Sequence, residues 1–573
     1  MISRPLLLIS LVAVFLGCNK ETDSLFPDPL NPNQSTFKST LFIEITDAEG
    51  KPLGEVNVRI GHVERKTDYK GFLYLGDTPV GESAYLIAEK EGYFQASRRF
   101  YPTENKSHYV KIIMLSNSRS AFFTSSDGLV ATVDDVTINL PKNVYEYENG
   151  GAYEGVVLLA MQAIAADDPD LSFKMPGDLT GVKQDGLTGG LASMGMVAVE
   201  LRTPTGEKLQ LKKDADVEIR MKVPEAMLAT APSKIPMWYF DEESGIWREE
   251  GEATLIADMY TATVHHFSFW NCDDWFPIID WSASFNYPSR SAAVQVKVCI
   301  TIINLNTTVC EYTNEEGVVS GMVAANELMQ MDVINGCDEV VYSAQIGPYA
   351  EATFMGPITI SSLDLSHISG IALNCAREPV TNGYVVINNS DHAYYQILDP
   401  KTGAFSSDIY NCNSGKVSVI AVDADKLNFS PPEEFPYALS IDADTLIVCQ
   451  NIEEHFVIDV EGFAEQFILD SVKYRFTEDH ISLIASEDSL ANRIFLYFEG
   501  KKPGSYPEVS CILRLTVGPQ SLIHCYNADL VITNFGEVGG YVQGYLSGEL
   551  IHSDPGNGSK YGFTGNFSVF RTE

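Results

Sequence analysis

The residues best suited to chemistry in this chain of 573 residues are a histidine and a serine two positions apart, His266 and Ser268. A serine hydroxyl becomes a nucleophile when a neighbouring base takes its proton, and histidine is the commonest such base. The same stretch, HFSFW, also suits plain packing. In a strand, Phe267 and Phe269 would share one face, and His266 and Ser268 would lie on the other.

The tripeptide His266-Phe267-Ser268 resembles the cleavage site of the autoproteolytic domains of netrin-receptor-like and inflammasome proteins. The resemblance implies that the Ser268 hydroxyl attacks the carbonyl of Phe267, with a nearby base and backbone strain assisting. The stretch from Tyr260 to Trp270, however, contains neither glycine nor proline to create a kink. We therefore expect a straight strand and an uncut chain, and keep self-cleavage at Phe267–Ser268 as an alternative.

Three acidic segments are candidate calcium ligands at loop ends: Asp442-Ala443-Asp444, Asp423-Ala424-Asp425 and Asp167-Asp168-Pro169-Asp170. None has EF-hand spacing, and acidic loops are expected in a chain with 77 acidic residues. A glycosidase carboxylate pair cannot be selected among so many acids. No G-x-S-x-G, Walker loop or H-E-x-x-H occurs. We assign no catalytic, cofactor-binding or metal residue, and we predict that the protein is not an enzyme.

The cysteines predict disulfides in an exported protein. Besides Cys18 there are nine, so at least one stays unpaired, and they show no CxxC and no zinc-like spacing with histidine. Cys375, Cys412 and Cys449 are spaced 37 and 37 residues apart within one predicted β module. We expect at least one disulfide among these three, and the spacing does not say which two pair.

The N-terminus has the pattern of a secretory signal, with Arg4 before the apolar run Leu6 to Leu16. The ending Phe15-Leu16-Gly17-Cys18 resembles a bacterial lipobox, which implies cleavage after residue 17 and a diacylated Cys18. Residues 19–23 (NKETD) resemble the signal that sends Bacteroidetes lipoproteins to the cell surface. We therefore predict a signal peptide at 1–17, a flexible Pro- and Asn-rich tether at 18–38, and an outer-membrane, lipid-anchored, cell-surface location.

The charge of the chain limits its partners. It has 77 acidic and 39 basic residues, a formal net charge of −38. Nucleic acid and anionic lipid surfaces would be repelled, so we expect no nucleic-acid partner, and contact with the membrane only through the N-terminal lipid. The expected ligand is a surface polysaccharide or a protein.

All five tryptophans fall between Pro236 and Trp281, and this stretch is the centre of the predicted fold. Apolar runs on either side of Asp241-Glu242-Glu243-Ser244-Gly245 predict a hairpin, and HFSFWNCD predicts a closing strand. Because tryptophans supply large apolar area, we expect them to face a core. The whole chain is predicted to be all-β, with several sandwich domains in tandem.

Residues 39–116 alternate apolar and polar side chains and carry Asp68 and Gly71 in T-D-x-x-G, together with K-x-G-Y at 90–93. These marks resemble the carboxypeptidase regulatory-like (transthyretin-like) sandwich, a structural module with no catalytic residues to transfer. Residues 276–366, with Thr313 to Gly317, are interpreted as a degenerate copy, and residues 367–452, with Thr402-Gly403, as a better one. Such weak repetition indicates separate domains arranged one after another along an extended chain, like beads on a string.

Residues 119–275 carry MPGDL at 175–179 and WYFDE at 238–242, a combination that resembles a region of cartilage intermediate layer protein. Residues 453–573 end in a predicted hairpin and resemble a C-terminal β domain of Bacteroidetes lipoproteins. Together these features predict an extended, non-catalytic binding, display or adhesion protein on the cell surface. The alternatives are a glycan-binding lipoprotein of a polysaccharide-use system, and a self-cleaving sandwich protein.

Overall fold

The prediction of an all-β fold is confirmed: the computed structural model is built from strands, with one single-turn helix, α1 (Leu171–Lys174), among the residues it describes. Within the same residues, no helix is long and apolar enough to cross a membrane. The predicted signal peptide and Cys18 lie outside them. The described residues are 37–68, 71–213, 215–362, 365–389, 392–412, 415–426, 428–451, 455–460, 467–469, 471–476, 481–486, 493–498, 504–517, 520–523, 527–535, 541–552 and 560–570.

The first sandwich, residues 37–114, consists of two sheets that enclose an apolar core. Its strands are β1 (Phe37–Asp47), β2 (Asn57–Ile60), β3 (Val63–Lys66), β4 (Phe72–Val80), β5 (Ala84–Glu89), β6 (Ala96–Phe100) and β7 (Ser107–Met114). The sheet orders are β4-β1-β7 and β3-β2-β5-β6. Leu41, Ile43 and Ile45 point into the core because alternate residues of a strand face the same side.

The central domain, residues 121–276, is a thirteen-stranded sheet with the main order β11-β15-β14-β20-β17-β18-β19-β16-β10-β9. Its strands are β8 (Ala121–Thr124), β9 (Leu129–Val133), β10 (Val136–Leu140), β11 (Tyr145–Tyr147), β12 (Val156–Ile164), β13 (Thr180–Val182), β14 (Thr188–Arg202), β15 (Lys208–Leu211), β16 (Val217–Lys222), β17 (Lys234–Asp241), β18 (Ile246–Ile256), β19 (Met259–Val264) and β20 (Phe269–Phe276). The predicted hairpin is present as β17 and β18, and β20 lies beside β17.

The tryptophans of the central domain occupy both faces of its sheet. Trp270 packs into the core of this domain. Trp238 and Trp247 are fully buried on the opposite face, together with Tyr85 and Phe94 of the first sandwich. The expectation that the tryptophans are buried therefore holds for these three, and two of them build an interface between domains.

The third sandwich, residues 278–359, has the sheets β24-β21-β27 and β23-β22-β25-β26. Its strands are β21 (Ile278–Asn286), β22 (Lys297–Ile302), β23 (Thr307–Tyr312), β24 (Val318–Ala324), β25 (Met329–Ile334), β26 (Val340–Ile346) and β27 (Thr353–Thr359). Trp281 belongs to the core of this sandwich and lies outside the hairpin of β17 and β18.

The fourth sandwich, residues 365–451, has the sheets β31-β28-β35 and β30-β29-β32-β33-β36, with β34 paired to β32. Its strands are β28 (Leu365–Asn374), β29 (Gly383–Asn389), β30 (His392–Ile397), β31 (Ala404–Tyr410), β32 (Lys416–Asp423), β33 (Asn428–Phe429), β34 (Glu433–Pro436), β35 (Ser440–Val448) and β36 (Gln450–Asn451).

The first, third and fourth sandwiches share one topology. In each, the opening strand is the middle of a three-stranded sheet, antiparallel to one neighbour and parallel to the other. Each also has a glycine with φ near +70° just before the antiparallel partner: Gly71, Gly317 and Gly403. A side chain there would lie 2.3 Å from a carbonyl oxygen of the opening strand in all three cases. Glycine is therefore required at this turn by both conformation and space.

The C-terminal domain is a ten-stranded antiparallel sheet with the main order β38-β37-β46-β45-β43-β42-β41-β40-β39, and β44 pairs with β42 and β45. The predicted terminal hairpin is formed by β45 and β46. The strands are β37 (His455–Val460), β38 (Phe467–Leu469), β39 (Ser471–Phe476), β40 (Ile481–Ser486), β41 (Arg493–Phe498), β42 (Gly504–Val517), β43 (Gln520–Ile523), β44 (Asn527–Phe535), β45 (Tyr541–His552) and β46 (Lys560–Phe570).

The disulfide prediction is confirmed by the pair Cys375–Cys449 in the fourth sandwich. Cys412, the third member of that spacing pattern, bonds instead to Cys337 of the third sandwich. A further disulfide, Cys299–Cys310, joins β22 to β23. The Cys337–Cys412 bond is a covalent link between two sandwiches that the spacing of 37 residues did not reveal.

The expectation of an extended string of beads is wrong, because the first and fourth sandwiches are in contact. Phe72 stacks on Tyr395 with ring centroids 4.4 Å apart, and Tyr74 stacks on Tyr384 at 5.0 Å. Phe42 lies on the outer face of β1, yet it is buried in the same aromatic cluster. Large apolar side chains on the outside of a small sandwich leave a patch that a neighbouring domain covers.

Candidate binding site between the first and third sandwiches

The tripeptide His266-Phe267-Ser268 lies in the connection between β19 and β20, so the prediction of a straight strand is wrong. The two strands are separated in the sheet by β17 and β18, and the chain has to cross from one position to the other. The Ser268 hydroxyl donates to the Phe269 carbonyl oxygen at 2.9 Å. His266 Nε2 lies 3.7 Å from the Glu250 carboxylate. The serine and the histidine thus have different partners.

Gln210 holds the peptide group on each side of Phe267. The Phe267 N–H donates to Gln210 Oε1 at 3.2 Å, and Gln210 Nε2 donates to the Phe267 carbonyl oxygen at 3.3 Å. All residues from 258 to 289 are described, and none has a positive φ or a cis peptide bond. Burial lowers the pKa of His266 below its ordinary value, partly offset by Glu250. The connection crosses the sheet with the Phe267 N–H and carbonyl oxygen hydrogen-bonded, and without a positive φ or a cis peptide bond that would indicate backbone strain.

We expect the purified mature protein to run as a single band after denaturation, because the Phe267–Ser268 peptide is unstrained and the Ser268 hydroxyl is bonded elsewhere. A denaturing gel with intact-mass measurement checks this, and Ser268→Ala should give the same pattern. Two fragments that disappear in Ser268→Ala would establish self-cleavage.

The carboxylates of the acidic segments considered for calcium bind other groups of the protein. Asp168 binds the Lys174 ammonium at 2.7 Å. Asp423 accepts the Asp425 and Lys426 N–H groups, and Asp442 accepts the Asp444 N–H. Asp425 accepts from the side-chain amide of Asn382. Over the described part of the chain, no group of three or more histidine, cysteine or acidic side chains is placed to hold a metal ion.

A serine, a histidine and an aspartate that the sequence analysis missed are linked on the fourth sandwich. His367 Nδ1 lies 2.7 Å from Asp408 Oδ1, and its Nε2 lies 3.3 Å from Ser406 Oγ. They meet because β28 and β31 pair with His367 opposite Asp408. The order of contacts is that of a catalytic triad. However, the His367 side chain is about half exposed on a sheet face, and Ser291 of the third sandwich also donates to Asp408. We interpret the cluster as a contact between sandwiches.

Arg98 on β6 joins the first sandwich to two other domains. Its guanidinium donates to the Ser172 carbonyl oxygen of the central domain. It also donates to the Cys310 carbonyl oxygen at 3.2 Å and to the Glu311 carboxylate at 2.8 Å, both in the third sandwich. A buried guanidinium is stable when its donors are met in this way.

Arg99, the next residue, points to the other face of β6 and contacts the hairpin of the central domain. It donates to the Ser244 and Gly245 carbonyl oxygens at 3.0 and 2.9 Å, and to the Ser83 hydroxyl at 2.8 Å. The predicted turn between β17 and β18 therefore docks onto the first sandwich. Arg98 and Arg99 together fix the walls of the space that the three domains enclose.

A cavity of about 130 Å³ lies where the first sandwich, the central domain and the third sandwich meet. Its third-sandwich wall is mainly apolar and includes Trp281, Ile300, Val319 and Met329. Trp281 is 4% exposed, and its indole N–H has no acceptor among the described residues. Leaving a buried donor unpaired costs about 1–3 kcal/mol, so an acceptor on a ligand would be favoured here.

A wider cleft of about 490 Å³ adjoins the cavity and shares with it Tyr101, Trp281 and two residues of β24. Glu82 and Asp280 line this cleft, and neither forms an ion pair within the described residues. Burial, with the charge of Glu82, raises the pKa of Asp280 above its ordinary value. Phe354 is 63% exposed at the same cleft. The cleft thus combines negative charge with an exposed aromatic ring.

Known proteins offer little guidance to this chain. No protein-family model matches it. Human cartilage intermediate layer protein 2 is 28% identical over 112 residues, which is 19% of this chain. The match spans 9% of that protein's length, so it is a partial similarity of the kind expected from the sequence.

Similar solved structures include pilins. The Streptococcal ancillary pilin has 8% identity, with 39% of this chain and 96% of the pilin covered and a TM-score of 0.14. The major pilin subunit of Bacillus cereus has 8% identity, with 72% and 99% covered and a TM-score of 0.12. Superpositions with scores this low say nothing about the function of this chain, whose fold is established by its own strands.

Proposed function

We propose that this chain is a lipid-anchored, non-catalytic protein of the outer membrane that binds or displays a ligand at the cell surface. The observation that carries the proposal is the set of three disulfides, which form in oxidising compartments outside the cytoplasm. The lipobox-like sequence that ends at Cys18 supports the lipid anchor.

The packing of the sandwiches supports a binding role for the molecule as a rigid platform. Arg98 and Arg99 tie the first sandwich to the central domain and the third sandwich. The Cys337–Cys412 bond links the third sandwich to the fourth. Surfaces held by buried polar contacts and a disulfide keep their geometry, which reduces the entropy lost on binding.

A glycan ligand would need exposed tryptophan or tyrosine rings that can stack on sugar faces. Trp238, Trp247, Trp270 and Trp281 are buried, so a polysaccharide would have to use other residues. The cleft lined by Glu82, Asp280 and Phe354 is the more favourable location for a ligand.

Replacing Cys18 with serine is expected to release the protein into the soluble fraction, because a thioether-linked diacylglycerol needs the cysteine sulfur. Membrane fractionation and the mass of the N-terminal peptide measure this, and Ser35→Ala in the tether is the matched control. Retention of Cys18→Ser in the membrane would overturn the anchor. Protease treatment of intact cells tests display at the surface.

A further inference from the structure

We propose that the cavity and its adjoining cleft bind the free N-terminal residue of a peptide with a large apolar side chain. In this arrangement the side chain fills the cavity, the backbone carbonyl accepts from Trp281, and the α-ammonium lies between Glu82 and Asp280. The inference rests on the proposed binding role and names the ligand class of the same site.

The volume of the cavity limits the size of the ligand side chain that it can hold. At about 130 Å³ it is close to the 150 Å³ or so of an apolar protein cavity that takes up benzene. Its wall of Ile300, Val319 and Met329 favours a phenyl or branched aliphatic group, whereas Arg98 and Arg99 line another side of the cavity.

Gly321 leaves room beside the tryptophan. It pairs directly with Trp281 across β24 and β21, and it lines both the cavity and the cleft. A Cβ placed there would meet nothing closer than the Tyr101 ring at 3.9 Å. The space that a larger residue would fill is therefore open at the junction of the cavity and the cleft.

The polar groups of the cavity and the cleft indicate which polar groups the ligand carries. The Trp281 N–H requires an acceptor, which a peptide carbonyl provides. Glu82 and Asp280 favour a cation, and an ammonium near them would offset the burial and repulsion that raise the pKa of Asp280. A carbonyl one carbon away from an ammonium, with an apolar side chain between them, is the chemistry of a peptide N-terminus. The net charge of −38 attracts cations over a longer range.

The test is calorimetric titration of the full mature chain, in detergent, with L-phenylalaninamide. Three further probes each change one feature: N-acetyl-L-phenylalaninamide lacks the charge, glycinamide lacks the side chain, and L-phenylalanine adds a carboxylate. We expect saturable binding of phenylalaninamide and about tenfold weaker binding of each of the other three probes. The acetylated probe and glycinamide each lose one charge-assisted or apolar contact, and the carboxylate of phenylalanine is repelled by Glu82 and Asp280.

Variants of the protein test which residue makes each proposed contact with the ligand. Asp280→Asn should weaken phenylalaninamide about tenfold and leave the acetylated probe unaffected, whereas Glu225→Gln, at a different groove, should change nothing. Trp281→Phe keeps a ring but removes the N–H, and should weaken binding about fivefold. Gly321→Leu should abolish binding, with Gly321→Ala as the control that shows the position tolerates a Cβ.

Absence of binding, equal affinity for the acetylated probe, or full binding to Gly321→Leu would each overturn the proposal. These outcomes are distinct from failure of the anchored surface role, because that role is measured by the location of Cys18→Ser and the titration does not depend on it.

Discussion

Replacing Gly71 with alanine is expected to destabilise the first sandwich by about 3 kcal/mol or more. An alanine at φ +70° costs about 1–2 kcal/mol. Its Cβ would also lie 2.3 Å from the Ile45 carbonyl oxygen, which accepts the Leu53 N–H at 2.9 Å. Moving this carbonyl away weakens a buried hydrogen bond, which adds about 1–3 kcal/mol.

Gly50→Ala is the matched control in the same sandwich. Gly50 also has a positive φ, +82°, but nothing lies within 4 Å of its Cβ position. It should therefore show only the conformational cost, about 1–2 kcal/mol. Because a chain of several domains does not unfold in one step, hydrogen exchange of peptides from the first sandwich is the suitable measurement. Equal protection in Gly71→Ala and Gly50→Ala would show that the close approach has no energetic consequence.

The same turn shows what local sequence can predict. The T-D-x-x-G mark identified Gly71 because the need for a positive φ is a local property of the chain. The hairpin around Asp241 to Gly245 was found for the same reason, since a polar turn between apolar runs depends only on neighbours in sequence. Gly317 and Gly403 repeat the turn in two sandwiches with little sequence likeness to the first.

What could not be predicted depends on pairing between distant segments. The spacing of Cys375, Cys412 and Cys449 left open which two would pair, and Cys412 bonds Cys337 because the contact between sandwiches decides which sulfurs meet. His367 and Asp408 are 41 residues apart and become neighbours only through the register of β28 and β31. The prediction of a straight strand at Ser268 was wrong because the alternation of apolar and polar side chains does not show where β19 and β20 lie in the sheet.

The candidate site could not be predicted either, because it also depends on contacts between distant segments. Trp281 is one of five clustered tryptophans, and the sequence alone does not show that its indole N–H lacks an acceptor. Its unpaired N–H and its position beside Glu82 follow from the packing of the domains. The sequence does contain one signal of a contact between domains, the adjacent residues Arg98 and Arg99. Consecutive residues of a strand face opposite sides of the sheet, so one of these arginines must face inward, and a buried arginine needs hydrogen-bond partners.

Removing the Arg98 guanidinium is expected to separate the third sandwich from the first. Arg98→Ala leaves the Ser172 and Cys310 carbonyl oxygens and the Glu311 carboxylate without their donor. Removing one partner of a fully buried ion pair costs about 3–5 kcal/mol, because the remaining charge stays desolvated. The Glu311 side chain is 27% exposed and still accepts the Tyr312 N–H, so we expect a cost below that range. Hydrogen exchange should increase in β6 and β23 together, since both lie at this contact, and Arg59→Ala on the exposed face of β2 should have no such effect.

A double variant that also changes Glu311 separates the contribution of the ion pair from that of the two carbonyl contacts. In Arg98→Met the arginine is replaced by an apolar side chain that keeps part of its volume, and adding Glu311→Gln removes the charge that Arg98 neutralised. If the cost of Arg98→Met arises from the stranded carboxylate, the double variant should regain much of the lost protection, because removing both charges of a buried pair is often close to neutral. If the double variant is as unprotected as Arg98→Met alone, the two carbonyl contacts hold the domains together and the ion pair does not. Unchanged protection in Arg98→Ala would show that the aromatic and apolar surfaces suffice to hold the three domains in place.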